Sequence, residues 1–345
     1  MQFALRVPTV ADRIAQTVAK MYLEPLVEPK FHPDSYGYRP GKSALDAVET
    51  CRKRCWRKDW VIDLDVKGFF DNLDHDLILK AVRFHTDVAW LHLYVERWLC
   101  ACVQREDGSL SERTTGTPQG GVASPLLANL FMHHAFDDWM RRNYPRIQFE
   151  RYADDVIIHC VSEAQARQVL EVVRCRLQQC RLELHPVKTK VVYCKDDNRR
   201  GKYEITKFDF LGYSFRPRLA RNRCGEMFVN FLPAISAAGA KAIRERVRSW
   251  RLPTAWTGQT LDALARHTDP FVRGWINYYG RFSRSECKRV LGYLNRTLVR
   301  WAARKYKRFK RRKRKAARWL AKVADRDTAL FVLWKSGVMP RAAGW

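Results

Sequence analysis

The sequence predicts an α+β fold, in which a mixed N-terminal part is followed by an all-helical C-terminal part. Short runs typical of strands lie between amphipathic helical segments as far as about residue 212. After Pro233 the apolar spacing becomes almost purely helical. Of the 345 residues, 46% are apolar and 12% aromatic, which is enough to form cores and excludes a wholly disordered chain. A chain of this length is expected to form roughly two domains.

Individual elements follow from the periodicity. Residues 61–66 and 156–160 have the alternating or continuous apolar pattern of strands. Residues 163–182 carry apolar side chains at helical spacing, which predicts a helix. Residues 283–286, Ser-Arg-Ser-Glu, are a capping box that predicts the start of another helix. A single apolar stripe follows it over residues 287–301, and we interpret this stripe as the buried face of that helix.

The ten cysteines are scattered along the chain, and no two of them form a C-x2-C pair. This spacing predicts neither a zinc site nor a disulfide scaffold. We therefore expect reduced cysteines that pack as small apolar side chains.

The charge is strongly basic and unevenly distributed. Lys and Arg number 64 against 36 acidic residues, a net charge of +28. Residues 1–212 have a net charge of +3, whereas residues 213–345 have 32 basic and 7 acidic side chains, a net of +25. Twelve Lys and Arg and no acidic residue lie in residues 300–318. Such density repels itself unless phosphates neutralise it, so we expect the C-terminal part to bind nucleic acid.

The hydropathy pattern indicates a cytosolic protein with no membrane partner. The longest apolar runs fall well short of the roughly 20 residues that a membrane span requires. The N-terminus has no signal-peptide pattern.

Three aspartates are candidate metal ligands. Asp154 and Asp155 are adjacent and precede one predicted strand, and Asp65 ends the other. If the two strands pair, their acidic ends converge, and a divalent cation with a preference for oxygen ligands, such as Mg²⁺, would offset the repulsion. Such a site could hold two metals that stabilise a phosphoryl transfer. An ordinary solvated turn is the alternative for the Asp pair, and Asp63, on the same strand face, is the alternative to Asp65.

Seven blocks, read in order, resemble the reverse transcriptases encoded by group II introns, which also act as splicing maturases. These blocks are SYGYRPGKS (35–43), DLDVKGFFDN (63–72), GTPQGG with SPLLAN (116–129), RYADD (151–155), LHPVKTK (184–190), FDFLGY (208–213) and FVRGWINYY (271–279). The resemblance implies a right-hand polymerase, with an α/β palm and fingers followed by an all-α thumb, or maturase, domain.

The resemblance also implies roles for individual residues. Catalysis and the binding of two Mg²⁺ ions are assigned to Asp65, Asp154 and Asp155. Nucleotide contacts are assigned to Val66, Phe70, Gln119 and Lys188. Phe70 matches the aromatic residue that rejects a 2′-hydroxyl, and the alternative is a core aromatic residue. For Lys188 the alternative is an ordinary surface lysine. Template and primer contacts are assigned to Arg39, Gly120, Gly121, Tyr152, Ala153, Phe210, Leu211 and Gly212. RNA contacts are assigned to Arg304, Lys305, Lys307, Arg308, Lys310, Arg311 and Arg312.

The predicted domain organisation follows the same resemblance. Residues 1–215 are expected to form fingers and palm, residues 216–233 a connector, residues 234–320 the helical thumb, and residues 321–345 a C-terminal tail. The chain begins inside the family's first finger block, so the fingers are expected to be incomplete. No His-Asn-His endonuclease sequence follows the thumb block, which resembles the bacterial class C lineage.

The expected function is an RNA-directed DNA polymerase that copies intron RNA and assists intron splicing and mobility. Its partners would be group II intron RNA, an RNA template with a DNA primer, dNTPs and a DNA target, in the bacterial cytoplasm in association with ribonucleoprotein or nucleoid. One alternative is an RNA-binding maturase without polymerase activity, because most of the first finger block is missing. A domesticated reverse transcriptase is another alternative, which the block at 274–279 disfavours. The sequence makes no prediction of oligomeric state.

Overall fold

The computed structural model describes residues 8–104, 109–118, 120–199, 201–222 and 224–341. The chain divides into two compact units. The N-terminal unit comprises the residues up to Phe208 together with Pro217–Phe231, and the C-terminal unit comprises Asp209–Arg216 together with the chain from Leu232.

The N-terminal unit contains the three elements predicted at residues 61–66, 156–160 and 163–182, and each begins within one residue of its predicted start. Its helices are α1 (Val10–Val27), α2 (Ala44–Cys55), α3 (Phe69–Asn72), α4 (His75–His85), α5 (Ala89–Cys100), α6 (Ser124–Met132), α7 (Asp138–Asn143) and α8 (Glu163–Gln179). Its first six strands are β1 (Trp60–Leu64), β2 (Val103–Gln104), β3 (Leu110–Ser111), β4 (Gln148–Tyr152), β5 (Asp155–Cys160) and β6 (Lys190–Tyr193). A 3-10 turn at Glu28–Lys30 and a π-helical turn at His133–Asp137 complete it.

Four strands form the central sheet in the order β4-β5-β1-β6, and each neighbouring pair in it is antiparallel. Alternation along β1 sends Ile62 and Leu64 into the main core, against the apolar face of α8. The other face of the sheet carries Val61 and His159, which are cross-strand partners. Helix α2 packs against β4 and β5. The sheet is thus buried on both faces.

Three further strands, β7 (Phe208–Phe210), β8 (Tyr213–Arg221) and β9 (Met227–Ile235), form a separate sheet in that order. The boundary between the two units passes through these strands. Most of the segment predicted as a connector, 216–233, is therefore strand.

The C-terminal unit is helical after Ile235 throughout the residues that are described. Its helices are α9 (Ala237–Ser249), α10 (Leu252–Ala255), α11 (Leu261–Tyr279), α12 (Arg284–Lys305), α13 (Lys313–Arg326) and α14 (Val332–Lys335), with a 3-10 turn at Lys307–Phe309. Helix α12 is central and packs against α9, α10, α11 and α13. Trp301 is fully buried and donates from Nε1 to the Trp256 carbonyl at 2.8 Å, so this aromatic residue serves packing.

Two local predictions need correction. Helix α8 ends at Gln179 rather than Leu182, because Arg181 adopts a left-handed backbone conformation with φ of 60°. Ser283 is the N-cap of α12, but its side chain forms no capping hydrogen bond. The Glu286 carboxylate instead accepts a hydrogen bond from Arg289 at 2.6 Å, so the reciprocal capping box does not form.

Within the described ranges, none of the helices combines the length and the apolar composition that crossing a bilayer would require.

Candidate active site and nucleic-acid interface

Strand register brings the three predicted aspartates together. Leu64 of β1 lies opposite Val156 of β5 in the antiparallel pair, so Asp65, the next residue, continues this register towards Asp155. Neighbouring strands are about 4.8 Å apart. Tyr152 pairs with Asp155, and Asp154 lies in the two-residue turn between them. We call these three residues, Asp65, Asp154 and Asp155, the acidic triad.

The electrostatics of the triad confirm that its carboxylates share one field. Desolvation, followed by the charge of Asp65, raises the pKa of Asp154. Desolvation and the charges of Asp154 and Asp65 raise the pKa of Asp155 to about 6, although the residue as a whole is exposed. Mutual repulsion of this kind is relieved by a bound cation.

One cation of the protein already lies at the triad. The Lys188 ammonium group lies 3.3 Å from Asp65 Oδ2 and 3.4 Å from Oδ1, and its charge partly offsets the rise in the pKa of Asp154 and of Asp155. The Lys188 side chain is 61% exposed. The predicted role of Lys188 is a nucleotide contact; in this structure it contacts a candidate metal ligand instead. Because the donors are all carboxylate oxygens, the triad fits a hard divalent cation.

A buried arginine supports the β4–β5 turn, which contains Asp154 and leads into Asp155. The Arg151 side chain is fully buried and forms two hydrogen bonds with the Asp137 carboxylate, at 2.8 and 2.6 Å. Its Nη1 also donates to the Ala153 carbonyl at 2.9 Å and to Asn129 Oδ1 at 3.0 Å. These bonds fix the position of the Ala153 carbonyl in the turn. Arg151 and Asn129 belong to the sequence blocks. The bonds from Arg151 to Asn129 and Asp137 join three separate elements, and no pattern in the sequence predicts them.

The turn itself has a demanding geometry. Ala153 has φ of 57°, a left-handed conformation that costs a non-glycine residue about 1–2 kcal/mol. Gly37 is packed beneath it, and a Cβ at Gly37 would lie 2.5 Å from the Ala153 nitrogen. The Gly37 carbonyl accepts a hydrogen bond from Asn129 Nδ2 at 2.6 Å. Glycine at position 37 is therefore required by close backbone approach.

Two tyrosines lie beside the turn. Tyr152 is a predicted template or primer contact, and its ring centroid lies 6.1 Å from that of Tyr38. Desolvation raises the pKa of Tyr38, and the charges of Asp154 and Asp155 contribute to this shift. Tyr38 is about half exposed, and sequence reasoning missed it. Its left-handed φ of 57° signals a special position only once the backbone is known.

Two of the predicted nucleotide-contact residues, Val66 and Phe70, lie in the stretch of chain from the end of β1 to α3. Val66 is buried and forms a single bridge with Leu184, next to the triad residue Asp65. Phe70 is partly buried against the core and lies edge-to-face with Phe69 at 5.2 Å, so it has both a packing contact and an accessible side. Gln119 lies outside the described residues.

The loop that contains Gly120 and Gly121 is hydrogen-bonded to the backbone at Phe70. Thr117 donates from its backbone nitrogen to the Phe70 carbonyl at 2.8 Å. Gly120 has φ of 94°, which favours glycine. The Gly121 nitrogen donates to the Pro118 carbonyl at 3.2 Å. The backbone at Thr117 is thus held next to Phe70, and the contacts assigned to Gly120 and Gly121 stay predictions.

Arg39 does not present its charge as predicted. Its side chain is only 7% exposed and forms an ion pair with Glu28 at 2.8 Å. Its Nη1 donates to the carbonyls of His32 and Ser35 at 2.6 and 2.7 Å. Because these bonds use the guanidinium internally, Arg39 orders its own loop rather than offering a free charge to a nucleic-acid strand.

The predicted primer-contact segment Phe210, Leu211 and Gly212 forms the turn between β7 and β8. Phe210 is buried, and Leu211 and Gly212 have φ of 49° and 77°. The Leu211 carbonyl accepts from the Tyr278 hydroxyl at 2.7 Å, and the Gly212 carbonyl accepts from the Ser236 nitrogen at 2.9 Å. Within the C-terminal unit this turn is therefore fixed by helix α11 and the start of α9.

Most of the predicted RNA-contact residues form an exposed, one-signed surface in the C-terminal unit. We call this surface the basic array, and its members are Lys307, Arg308, Lys310, Arg311, Arg312, Lys313, Arg314, Lys315 and Arg318, all exposed. Among the described residues, none of them has a carboxylate within ion-pair distance. Uncompensated positive charge at this density favours a polyanionic ligand.

Two predicted members of that surface differ from the rest. The Lys305 ammonium group donates to the carbonyls of Thr257 and Gln259 at 3.0 and 2.7 Å. It also lies 5.4 Å from the centre of the Trp301 ring. Arg304 is exposed and lies 3.4 Å from the Pro253 carbonyl. Lys305 therefore acts within the protein, which is a correction to its predicted role.

Comparisons with known proteins agree with both units. Residues 3–215 match the family Reverse transcriptase (RNA-dependent DNA polymerase), and residues 240–319 match Group II intron, maturase-specific domain. The predicted reverse transcriptase fold is confirmed by the first match.

The chain is also similar to named proteins. Protein YkfC of Escherichia coli K12 is 31% identical over 265 residues, which cover 65% of each chain. Group II intron-encoded protein LtrA of Lactococcus lactis subsp. cremoris is 33% identical over 129 residues, which cover 37% of this chain and 21% of LtrA. Apo telomerase from Candida tropicalis aligns with a TM-score of 0.49 and 12% identity, covering 96% of this chain and 56% of the telomerase chain. The matched region thus spans less than two thirds of the length of each of these three proteins.

The reverse transcriptase match covers more than half of the chain, and the maturase-specific match follows it in the C-terminal unit. This protein therefore belongs to the group II intron reverse transcriptase/maturase family.

Proposed function

We propose that this chain is an RNA-directed DNA polymerase that copies group II intron RNA into DNA and assists the splicing and mobility of that RNA. The observation that carries the proposal is the convergence of Asp65, Asp154 and Asp155 at the end of two paired strands, inside the region that matches reverse transcriptases. Reverse transcriptases generally use divalent metal ions, and we propose two Mg²⁺ ions held by these carboxylates.

The proposed reaction is attack of a primer 3′-hydroxyl on the α-phosphorus of a dNTP, with pyrophosphate as the leaving group. Bound Mg²⁺ would lower the pKa of the hydroxyl and stabilise the charge of the triphosphate. Asp65 and Asp155, at the ends of paired strands, would hold the cations together with Asp154 of the turn. Positioning and charge stabilisation supply most of the acceleration in phosphoryl transfer.

Other residues of the N-terminal unit serve the substrate. With a cation at the triad, the Lys188 ammonium group would be free to leave Asp65 and contact the triphosphate. Phe70 lies under the sugar and disfavours a 2′-hydroxyl, while Val66 contributes backbone contacts because its side chain is buried. Gln119, Gly120 and Gly121 contact the nucleotide and the template. Tyr152 and Ala153 of the turn are proposed to contact the template or primer. Within the C-terminal unit, Phe210, Leu211 and Gly212 have the same proposed role.

The basic array is the proposed surface for intron RNA and for the template duplex. A-form helices are recognised mainly through shape, phosphates and 2′-hydroxyls, which a lysine and arginine surface suits. The domain bounds predicted from the sequence, the DNA target and the bacterial cytoplasm as the site of action belong to the same proposal.

Primer extension on an RNA template tests the polymerase. Replacing Asp154 or Asp155 with asparagine should lower Mg²⁺-dependent incorporation by at least about 100-fold, because a charge that holds the cation is removed. Asp87→Asn is the matched control, since Asp87 is exposed between α4 and α5 and should retain full activity.

The same experiment separates the alternative. If the unsubstituted chain binds intron RNA and assists splicing but incorporates no nucleotide, and Asp154→Asn changes neither property, the protein is a binding maturase and the polymerase proposal is wrong.

A further inference from the structure

A second group of metal-ligating side chains lies on the face of the central sheet that α2 covers. Cys51 and Cys55 are one turn apart on α2, His159 is on β5, and Cys194 directly follows β6. All four are buried, with exposures of 0–1%. We call these four residues the cysteine–histidine cluster. None of them takes part in the proposed polymerase chemistry.

Sheet register explains how such distant residues meet. Val61 of β1 pairs with His159 on one side and with Val192 on the other, so these three side chains share a face. Cys194 is two residues beyond Val192, and its nitrogen donates to the Asp59 carbonyl at 2.8 Å, which extends the pairing. Alternation then returns Cys194 to the face of His159.

The spacing of the two cysteines on α2 suits a shared ion. The Cys51 and Cys55 sulfur atoms are 4.0 Å apart. Two thiolates on a tetrahedral zinc ion, with bonds of about 2.3 Å, are separated by about 3.8 Å. The ligand atoms of Cys51, His159 and the neighbouring Glu150 all lie within 4.8 Å of one another. The Cys55 thiol interacts with both Cys194 and His159.

The histidine ring supplies an independent sign. His159 Nε2 lies 2.6 Å from Glu150 Oε2, and the other Glu150 oxygen accepts from Arg54 at 2.6 Å. His159 Nδ1 is buried, and among the described residues no group meets the geometry of a hydrogen bond with it, although the Cys55 thiol interacts with the same ring. A buried polar atom of this kind requires an explanation. Metal-binding histidines usually have their second nitrogen on a carboxylate, which is the arrangement that Glu150 provides.

We propose that Cys51, Cys55, Cys194 and His159 Nδ1 bind one Zn²⁺ ion, with Glu150 orienting the imidazole. Three thiolates and one imidazole form a closed structural donor set for zinc and differ from the all-oxygen triad that suits magnesium. The ion would connect α2 to strands β5 and β6, behind the sheet whose ends carry the acidic triad. The proposal is independent of polymerase activity.

Metal analysis of the full chain tests this proposal. The chain should be purified under reducing conditions with Asp154→Asn and Asp155→Asn in place, so that cations at the triad are not counted. We expect about one zinc per chain by elemental analysis. Replacement of zinc by Co²⁺ should give thiolate-to-cobalt charge-transfer bands and a tetrahedral ligand-field spectrum.

Single substitutions assign the ligands. Cys194→Ala and His159→Gln should lower the bound zinc at least about tenfold or change the cobalt spectrum, because a ligand is removed. Cys160→Ala is the matched control, since Cys160 is buried on the same strand but belongs to the core on the opposite face of the sheet. Should Cys194→Ala fail to fold, a fall in the melting temperature of the unsubstituted chain on zinc removal provides the second measurement.

Two results would overturn the proposal. One is a folded, reduced chain that contains no stoichiometric zinc and gives no charge-transfer band with Co²⁺; the thiols would then be packed as small apolar groups. The other is an equal loss of metal in the Cys160→Ala control.

Discussion

Arg151 is a buried cation on which the position of the acidic triad depends. Its guanidinium joins Asp137, Asn129 and the carbonyl of Ala153, and both its own side chain and that of Asp137 are fully buried. A buried pair is not necessarily a net source of stability, but removal of one partner leaves an uncompensated charge. Arg151 therefore links the stability of the N-terminal unit to the geometry of its turn.

Replacing Arg151 with methionine should destabilise the protein by about 3–5 kcal/mol, because Asp137 is left buried without its partner. Urea unfolding measures this loss. Arg141→Met is the control, since the Arg141 side chain is 61% exposed in its pair with Asp138 and should cost less than about 1 kcal/mol. Equal losses in the two variants would contradict the role assigned to Arg151.

Three histidines near the π-helical turn form a pH-sensitive cluster. His85 Nε2 lies 2.9 Å from His134 Nε2, and His133 lies edge-on to the His134 ring at 4.9 Å. Burial, followed by the charge of His134, lowers the pKa of His85 to about 4. Burial is also the main cause that lowers the pKa of His133 to about 4, despite the opposing charge of Asp137.

These lowered values predict acid sensitivity. His85 and His133 have a pKa of about 6.5 in the unfolded chain and about 4 in the folded chain. Their contribution to the free energy of unfolding is therefore full above about pH 6.5 and falls as the pH decreases from about 6.5 to about 4. The melting temperature should therefore fall between about pH 7 and about pH 5. His134→Gln should make this fall smaller, whereas His92→Gln, outside the cluster, should leave it unchanged. An identical pH profile for His134→Gln and the unsubstituted chain would be inconsistent with the assignment.

Several individual residues could be predicted from the sequence and others could not. The three aspartates of the triad could be predicted, because strand alternation and the resemblance both indicate the ends of β1 and β5. Tyr38 and the internal use of Arg39 could not, since they depend on which loops meet the turn. The contacts assigned to Phe70 and Gln119 stay predictions.

The β4–β5 hairpin is the element on which the proposed chemistry depends, and Gly37 packs against its turn. Gly37→Ala should shift the turn, because the new Cβ would lie 2.5 Å from the Ala153 nitrogen. We expect at least about a tenfold loss of primer extension, as a displacement of about 1 Å in a catalytic group can cost 100-fold.

Gly274→Ala is the control for this glycine prediction. Gly274 lies in α11, and a Cβ there would meet nothing within 4 Å. Alanine should therefore stabilise the helix by up to about 1 kcal/mol and leave extension intact. Full activity of Gly37→Ala would show that the turn is not constrained as described.

The basic array lies on the segment that joins α12 to α13 and on the start of α13, and we expect it to set the salt dependence of RNA binding. Replacing Lys310, Arg311 and Arg312 with alanine should weaken RNA binding and lower the slope of log affinity against log salt by about 1 for each phosphate that is no longer neutralised. Binding isotherms at several salt concentrations measure both quantities. The triple variant at Arg141, Arg142 and Arg167, which are exposed and paired with acids, should have a nearly unchanged slope.

Elements with strong periodicity are predicted well, and those that depend on distant partners are not. Strands β1 and β5 and helix α8 begin within a residue of their predicted starts, because apolar alternation and helical spacing reflect burial directly. The strands in 216–233 escape prediction because their side chains are mostly polar or half exposed. The cysteine–histidine cluster escapes it because its members come from three separate elements rather than from one spaced motif.

The two units differ in charge as well as in fold. The mixed N-terminal part is nearly balanced, whereas the C-terminal part carries almost the entire excess of +28. The two family matches have the same division, with a reverse transcriptase region followed by a maturase-specific region. This distribution of charge agrees with the proposal that the C-terminal unit binds RNA.

The most direct test of the acidic triad is the position of its cations. Crystals of the chain with template, primer and an incoming nucleotide analogue, prepared with Mn²⁺ in place of Mg²⁺, would locate them by anomalous scattering. We predict two manganese peaks about 2.2 Å from the carboxylate oxygens, with Asp65 and Asp154 ligating at least one peak together. Manganese bound elsewhere, with Asp65 still paired to Lys188, would contradict the central claim.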